Sequence, residues 1–329
     1  MDQINRAAVA ATIDLADRCG DHDYKIRGLW QLATLNMDGE LHSAFENARR
    51  LRNAAAGRDA AAERLVGERM MGSVLHLLGR HSEARLLLET TRAAYDQPER
   101  RASALRFQYD QLVLTLDFLA WIEWLQGGSD RSKSIAEAAV AEAMRVDHAG
   151  SLGFALDVAV TLAILRGDLA DARGGCARLT DMGANVGFDV WMARSKVLNA
   201  IIQVRSGDLG GGLPSLQSAL ARPVWKLTTY RTPLFLGELA QAEMAAGLSD
   251  KALATIEEAL GWFKGADDFW YAPECLRVKA QLLILQSGKA GVGEADVLLS
   301  HAARVATDHG AITWQRRIAA DRKMLCGAA

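Results

Sequence analysis

Seven histidines, His22, His42, His76, His81, His148, His301 and His309, are the side chains best suited to chemistry. None stands in an HxxxH or HExxH pair, the spacing that aims two imidazoles at one metal ion from a helix. His76 and His81 are five apart, which places their rings on different helix faces with a turn between them. Four cysteines, Cys19, Cys176, Cys275 and Cys326, are widely separated and form no CxxC pair. Two Gly-rich strings, 207–212 and 288–293, look like phosphate loops. A phosphate loop must leave a strand and open a helix so that its amides converge on the anion, and Lys289 is followed by no Ser or Thr. Both strings read as turns. There is no GxSxG elbow, and no Ser, His and Asp set can be assembled. The sequence implies no metal, no cofactor and no enzymatic activity.

The elements that must position any binding residues are set by a repeat. A Gly followed five residues later by a small residue recurs as Gly39/Ala44, Gly79/Ala84, Gly127/Ser132, Gly167/Ala172, Gly207/Gly212 and Gly247/Ala252, at intervals of 40, 48, 40, 40 and 40 residues. Gly288 follows after 41, its small partner delayed to Ala295 by the insertion of Gly291 and Val292. Such a period means a stack of one supersecondary unit. Each period holds two helix-length segments, for example 60–78 and 82–95, in which Leu75, Leu78, Ala84, Leu86 and Leu87 fall at helical spacing. The unit is an antiparallel helix hairpin. Its Gly supplies the left-handed backbone that ends the first helix, and the small residue lets the second pack closely. Seven residues before the turn stand Gly72, Ala120, Ala200 and Ala240, again small, against Leu32, Val160 and Gln281 in the other units. The eight extra residues of the third unit fall around 96–100, where Pro98 marks a loop.

Composition narrows the function classes. Half of the 329 residues are hydrophobic, only 5 are Pro, and the Ala-, Leu-, Arg- and Glu-rich stretches favour helix. Against 40 acidic residues stand 38 basic ones without a dense Lys/Arg block, so a dominant nucleic-acid footprint is not expected. The cysteine pattern fits buried, reduced thiols and a cytoplasmic location. No signal peptide is visible from Met1 to Arg6, and the most apolar stretch, 154–165, is broken by Asp157 and Thr161 and reads as too short to span a bilayer.

The repeat resembles the tetratricopeptide repeat, with longer helices than the standard unit. The resemblance implies an all-α, right-handed superhelical solenoid of about seven hairpins filling 1–329 as one domain: a half-unit at 4–19, hairpins over 22–309 and a solvated closing helix at 312–325. Read whole, the segments around Arg106 to Asp110, Trp121 and Trp124, Ser151 to Leu156, Trp191, and Glu274 with Arg277 resemble one bacterial tetratricopeptide region. That region lies C-terminal to the ATPase module of winged-helix transcriptional regulators and class III nucleotide cyclases, output domains not found in this chain.

In a tetratricopeptide hairpin the first helix faces the concave side, at positions 10, 6 and 3 residues before the turn Gly. These read Arg69, Ser73 and His76, then Asp117, Trp121 and Trp124, then Asp157, Thr161 and Ile164. Arg194 and Tyr230 with Arg231 stand where they could close the same groove. The resemblance therefore nominates Arg69, His76, Asp117, Trp121, Trp124, Asp157, Arg194 and Tyr230 as ligand-binding. Aromatic faces with a few placed polar groups suit a small molecule or a peptide. The competing reading at these positions is core packing for the indoles and internal pairing for the carboxylates. The functional expectation is a non-enzymatic sensor whose groove occupancy reaches an upstream output domain or a protein partner, and the alternative is a protein-interaction scaffold. A monomer or a weak homodimer fits either.

Overall fold

The structure is a computed structural model that describes residues 2–55, 60–95, 106–222, 229–263 and 267–328. Among them the chain runs α1 (Asp2–Cys19), α2 (His22–Asn36), α3 (Leu41–Ala54), α4 (Ala61–Leu77), α5 (His81–Ala94), α6 (Gln111–Leu125), α7 (Ser129–Arg145) and α8 (Ala149–Arg166). It continues through α9 (Leu169–Val186), α10 (Asp189–Arg205), α11 (Leu209–Leu220), α12 (Thr232–Ala245), α13 (Ser249–Gly261), α14 (Ala272–Ser287), α15 (Val292–Asp308) and α16 (Ile312–Ala328). No strand occurs among the described residues. Helices α2/α3 through α14/α15 are the seven hairpins. The loop expected at 96–100 lies outside the described residues.

Each repeat Gly does what its position requires. Gly39, Gly79, Gly127, Gly167, Gly207, Gly247 and Gly288 all have positive φ. At Gly79 the next amide, Arg80 N–H, reaches back to the Leu75 carbonyl at 2.9 Å, and Gly167 and Gly207 repeat the pattern through Asp168 to Ala163 and Asp208 to Gln203. These bonds satisfy carbonyls orphaned at the helix ends. Neither Gly-rich string follows a strand: the turn at Gly207 opens α11, with Asp208 accepting from Gly211 N–H at 3.0 Å, and the short 3-10 turn Gly288–Gly291 opens α15. The two small positions meet across the hairpin: Ser132 Oγ donates to the Ala120 carbonyl at 2.8 Å. A Cβ added at Gly72 would lie 2.7 Å from Leu88 Cγ.

First helices of the hairpins form the inner layer and second helices the outer one. The outer helices α7, α9 and α13 bury one stripe each, whereas α6 and α8 are buried along nearly their whole length. Eighteen-residue α8 is, by length and composition, apolar enough to cross a membrane, contrary to the reading of that stretch as too short. Its apolar surface packs against α6, α7, α9 and α10, and that central position accounts for its composition.

Two further expectations change. Cys176 and Cys275 are buried free thiols, but Cys19 is exposed because the terminal α1 has a neighbour on one side only. Helix α16 is solvated on one face only, with Arg316 and Lys323 exposed and its other face tied into the fold. Asp321 accepts from Arg277 at 2.7 Å, and Arg317 donates to Glu274 at 3.0 Å and to the Leu165 carbonyl at 3.0 Å.

That last bond belongs to a larger closure. Trp270 N–H donates to the Leu77 carbonyl at 3.0 Å, and Thr313 Oγ1 donates to the Trp124 carbonyl. The His309 ring rests on Gly79, where a Cβ would lie 2.4 Å from its Nε2. The last hairpin and α16 thus fold back onto the ends of α4, α6 and α8, and the superhelix closes over its own axis.

Candidate functional site

The repeat register aims the nominated residues at the axis, and the closure buries most of them there. Asp157 on α8 accepts from Arg231 Nη1 at 2.6 Å and lies 3.8 Å from Arg194 Nε on α10. Both arginines are buried, and Arg231 comes from the short helical turn Thr229–Arg231 that enters the axis before α12. Its guanidinium stands 5.1 Å from the Phe154 ring and 5.7 Å from Trp121, and Arg194 lies 4.7 Å from Phe235. A carboxylate between two guanidiniums held over aromatic faces is an internal ion cluster, because each desolvated charge needs a partner nearby.

Asp117, at the equivalent position one hairpin earlier on α6, is 1 % exposed, and neither carboxyl oxygen has a hydrogen-bond partner among the described residues. Burial drives its pKa well above the usual carboxylate range, outweighing the attraction of Arg231, and the charge of Asp157 pushes the same way. Burial therefore favours the protonated form of Asp117.

The nominated aromatics stack with residues that the repeat register did not nominate. Trp121 meets Trp270 edge-on at 5.2 Å, and Trp124 meets Trp314 at 4.9 Å. His76 lies 5.4 Å from Trp270 and 5.1 Å from His81, which in turn lies 6.0 Å from His309. No group of three His, Cys, Asp or Glu among the described residues is placed to hold a metal ion. The broad concave groove expected from the repeat is filled by Tyr230, Arg231, Trp270, Tyr271 and α16.

What stays open is the mouth of the superhelix, divided in two by Met37 and Tyr230. On one side Leu41, Leu78, Pro233, Trp262, Phe263 and Phe269 surround a cavity of about 230 Å³, with His42 and Asp268 paired at 3.1 Å on its rim. On the other, Trp30, Phe107, Tyr109, Phe118 and Phe154 surround one of about 130 Å³ with Arg69 in its wall. Of the nominated residues, Arg69 and Tyr230 alone line either cavity. The outer half was missed because Leu41, His42, Trp262 and Phe269 lie around hairpin ends, away from the helical positions that the register indexes. The aromatic string Phe269-Trp270-Tyr271 before α14 was the available signal.

The irregular segment before α6 is braced internally. Arg106 pairs with Asp23 and Glu63, and Asp110 caps α6 by accepting from Leu112 and Val113 N–H at 2.9 and 3.0 Å. Gln108, beside the smaller cavity, has φ 65°.

No protein-family profile matches this sequence, and no curated protein sequence matches it. Solved structures do. A Rap protein complexed with competence and sporulation factor superposes with a TM-score of 0.57 at 10% identity, over 93% of this chain and 88% of that one. The fold is a tetratricopeptide-like solenoid. A tetratricopeptide repeat protein from Parabacteroides merdae gives 0.47 at 13% identity, over 86% of this chain and 96% of that one. Yeast Tom70 gives 0.44 at 11% identity, over 97% and 82%.

Proposed function

We propose that this chain is a non-enzymatic interaction module that receives an extended segment of a peptide or partner protein in the divided, aromatic-lined mouth of its superhelix. The observation that carries this reading is the mouth itself. It is apolar surface left open beside an axis that is otherwise plugged, rimmed by the exposed pair His42 and Asp268. Concave apolar surfaces with few polar groups are the common form of recognition sites. The superposing Rap protein is complexed with a factor, which supports the same reading by analogy of fold.

A regulatory role follows from which residues line the mouth. Tyr230 and Phe269 belong to the two segments, 229–233 and 267–271, that also plug the axis through Arg231 and Trp270. An occupant that shifts them biases the closure of the superhelix, and closure is what an attached or partner output domain in a bacterial cytoplasm would read, as in the regulators that the sequence resembles.

The test is selection of random peptides on the purified protein, followed by affinity measurement on two variants. Peptides with aliphatic or aromatic side chains are expected to lose at least about tenfold in affinity on Phe263→Asp, which puts a charge in the larger cavity. Leu15→Asp, on the exposed face of α1, is expected to leave them unchanged. Equal binding to wild type and Phe263→Asp would sink the mouth as the site. Absence of peptide binding together with a co-purified small molecule in native mass spectrometry would replace the peptide with that molecule.

A further inference from the structure

Four arginines are buried among the described residues, and three have carboxylates: Arg194 and Arg231 share Asp157, and Arg277 is held by Glu274 and Asp321. Arg69 has none. It is 4 % exposed and, among the described residues, makes no ion pair and one guanidinium hydrogen bond, from Nε to Gln111 Oε1 at 3.0 Å. Burial without a counter-charge lowers its pKa to about 10, with only the phenols of Tyr95 and Tyr230 acting against the shift. At neutral pH it still carries a full charge.

An uncompensated buried charge costs stability, so a fold keeps one where something else supplies the counter-charge. The place from which that supply comes is visible. Arg69 forms part of the wall of the smaller mouth cavity, whose other lining is largely apolar: Trp30, Met70, Phe107, Leu114, Phe118 and Phe154. A guanidinium offers five donors in a planar fork that matches a carboxylate, and here the Nη donors are left for a guest.

We propose that the inner mouth cavity binds a carboxylate attached to an apolar group, with the anion on Arg69 and the apolar group among the surrounding aromatic rings. This rests on the mouth being the binding surface and names the chemistry of what enters its inner half. The carboxylate can come from the C-terminus of a peptide with an apolar last residue or from a free aliphatic acid. A phosphate-bearing ligand is disfavoured, since one guanidinium in an apolar wall leaves a dianion largely unpaired.

Titration calorimetry on the full chain separates the sources. The probes are octanoate against 1-octanol, and the peptides Ala-Ala-Phe-Leu-Leu as free acid and as C-terminal amide. Octanoate is expected to bind at least about tenfold more tightly than octanol, and if a peptide terminus is the natural source the free acid is expected to exceed the amide by a similar factor. Arg69→Met is expected to abolish both preferences and to raise the thermal midpoint, because it removes a buried charge while keeping the volume. Arg69→Lys keeps part of the preference. The alcohol and amide comparisons on wild type need no variant, so a misfolded Arg69→Met would not rescue the idea. Equal affinity of acids and their neutral analogues overturns the assignment to Arg69. If peptides selected for the mouth bind regardless of their terminus and survive Arg69→Met, the carboxylate fails while the interaction module stands. If no peptide binds but octanoate prefers Arg69, the peptide reading fails and the acid pocket stands.

Discussion

Asp117 and Asp157 occupy equivalent register positions one hairpin apart, yet their surroundings give them opposite characters. Asp157 is the shared counter-charge of two buried guanidiniums, so Asp157→Asn removes the carboxylate that both face. Removing one partner of a buried pair costs about 3–5 kcal/mol. Urea denaturation is expected to show a loss of that size, and a loss below about 1 kcal/mol would mean that the arginines find other acceptors. At Asp117 burial favours the neutral acid, whose isostere is the amide of Asp117→Asn. An acid whose folded pKa is raised opposes folding as pH climbs above its unfolded value near 3.8, because only the unfolded chain releases the proton. Asp117→Asn is therefore expected to match or exceed wild-type stability at pH 7 and to lose that advantage near pH 4. The register made both carboxylates legible in the sequence, as inward positions that need partners. Which of them is paired depends on Arg231, brought in by a segment 74 residues beyond Asp157 that belongs to no repeat position.

At the scale of the helix hairpin, the sequence is nearly transparent, because a Gly with positive φ and a small residue at a crossing are local requirements repeated seven times. What local pattern does not carry is the use of glycine inside helices. Gly67 and Gly174 both sit within helices, and single-residue propensity treats them alike. A Cβ at Gly67 in α4 would lie 2.7 Å from the Arg52 backbone nitrogen and 2.9 Å from its Cα, so α3 and α4 would have to separate. Gly174 in α9 meets nothing within 4 Å. Gly67→Ala is expected to destabilise by about 1–3 kcal/mol, the usual cost of overpacking. Gly174→Ala is expected to stabilise by about 0.5–1 kcal/mol through helix propensity. Chemical denaturation of the two variants checks this, and a shift of the same sign in both would refute the crossing argument. The mouth was harder to read for a related reason: its lining comes from hairpin ends, whose composition is set by tertiary contacts and follows no period.

Closure of the whole molecule gives a pH dependence that no single hairpin would have. His76 at the end of α4, His81 at the start of α5 and His309 after α15 meet where the last hairpin covers the second. Burial lowers His76 to about 3 and His81 well below its usual value, and it lowers His309 as well. Arg231 reinforces the shift at His76, while Asp267, Asp268 and Asp308 act against it at His309. A histidine whose folded pKa is depressed takes up its proton only in the unfolded chain below about pH 6.5, so acidification from there favours unfolding. Each such proton is worth up to about 1.4 kcal/mol per pH unit, and the raised acid Asp117 acts in the opposite direction. The thermal midpoint is expected to fall between pH 6.5 and 5, and His81→Phe, which fills the same apolar space without titrating, is expected to flatten that fall. Because the seam is also where Trp270 N–H bonds the Leu77 carbonyl, hydrogen exchange at that amide, corrected for its intrinsic rate, is expected to accelerate at pH 5 more than exchange within α8. An unchanged slope in His81→Phe, or uniform acceleration across α8 and the seam, would mean that acid acts on the fold as a whole and that the superhelix has no separately opening closure.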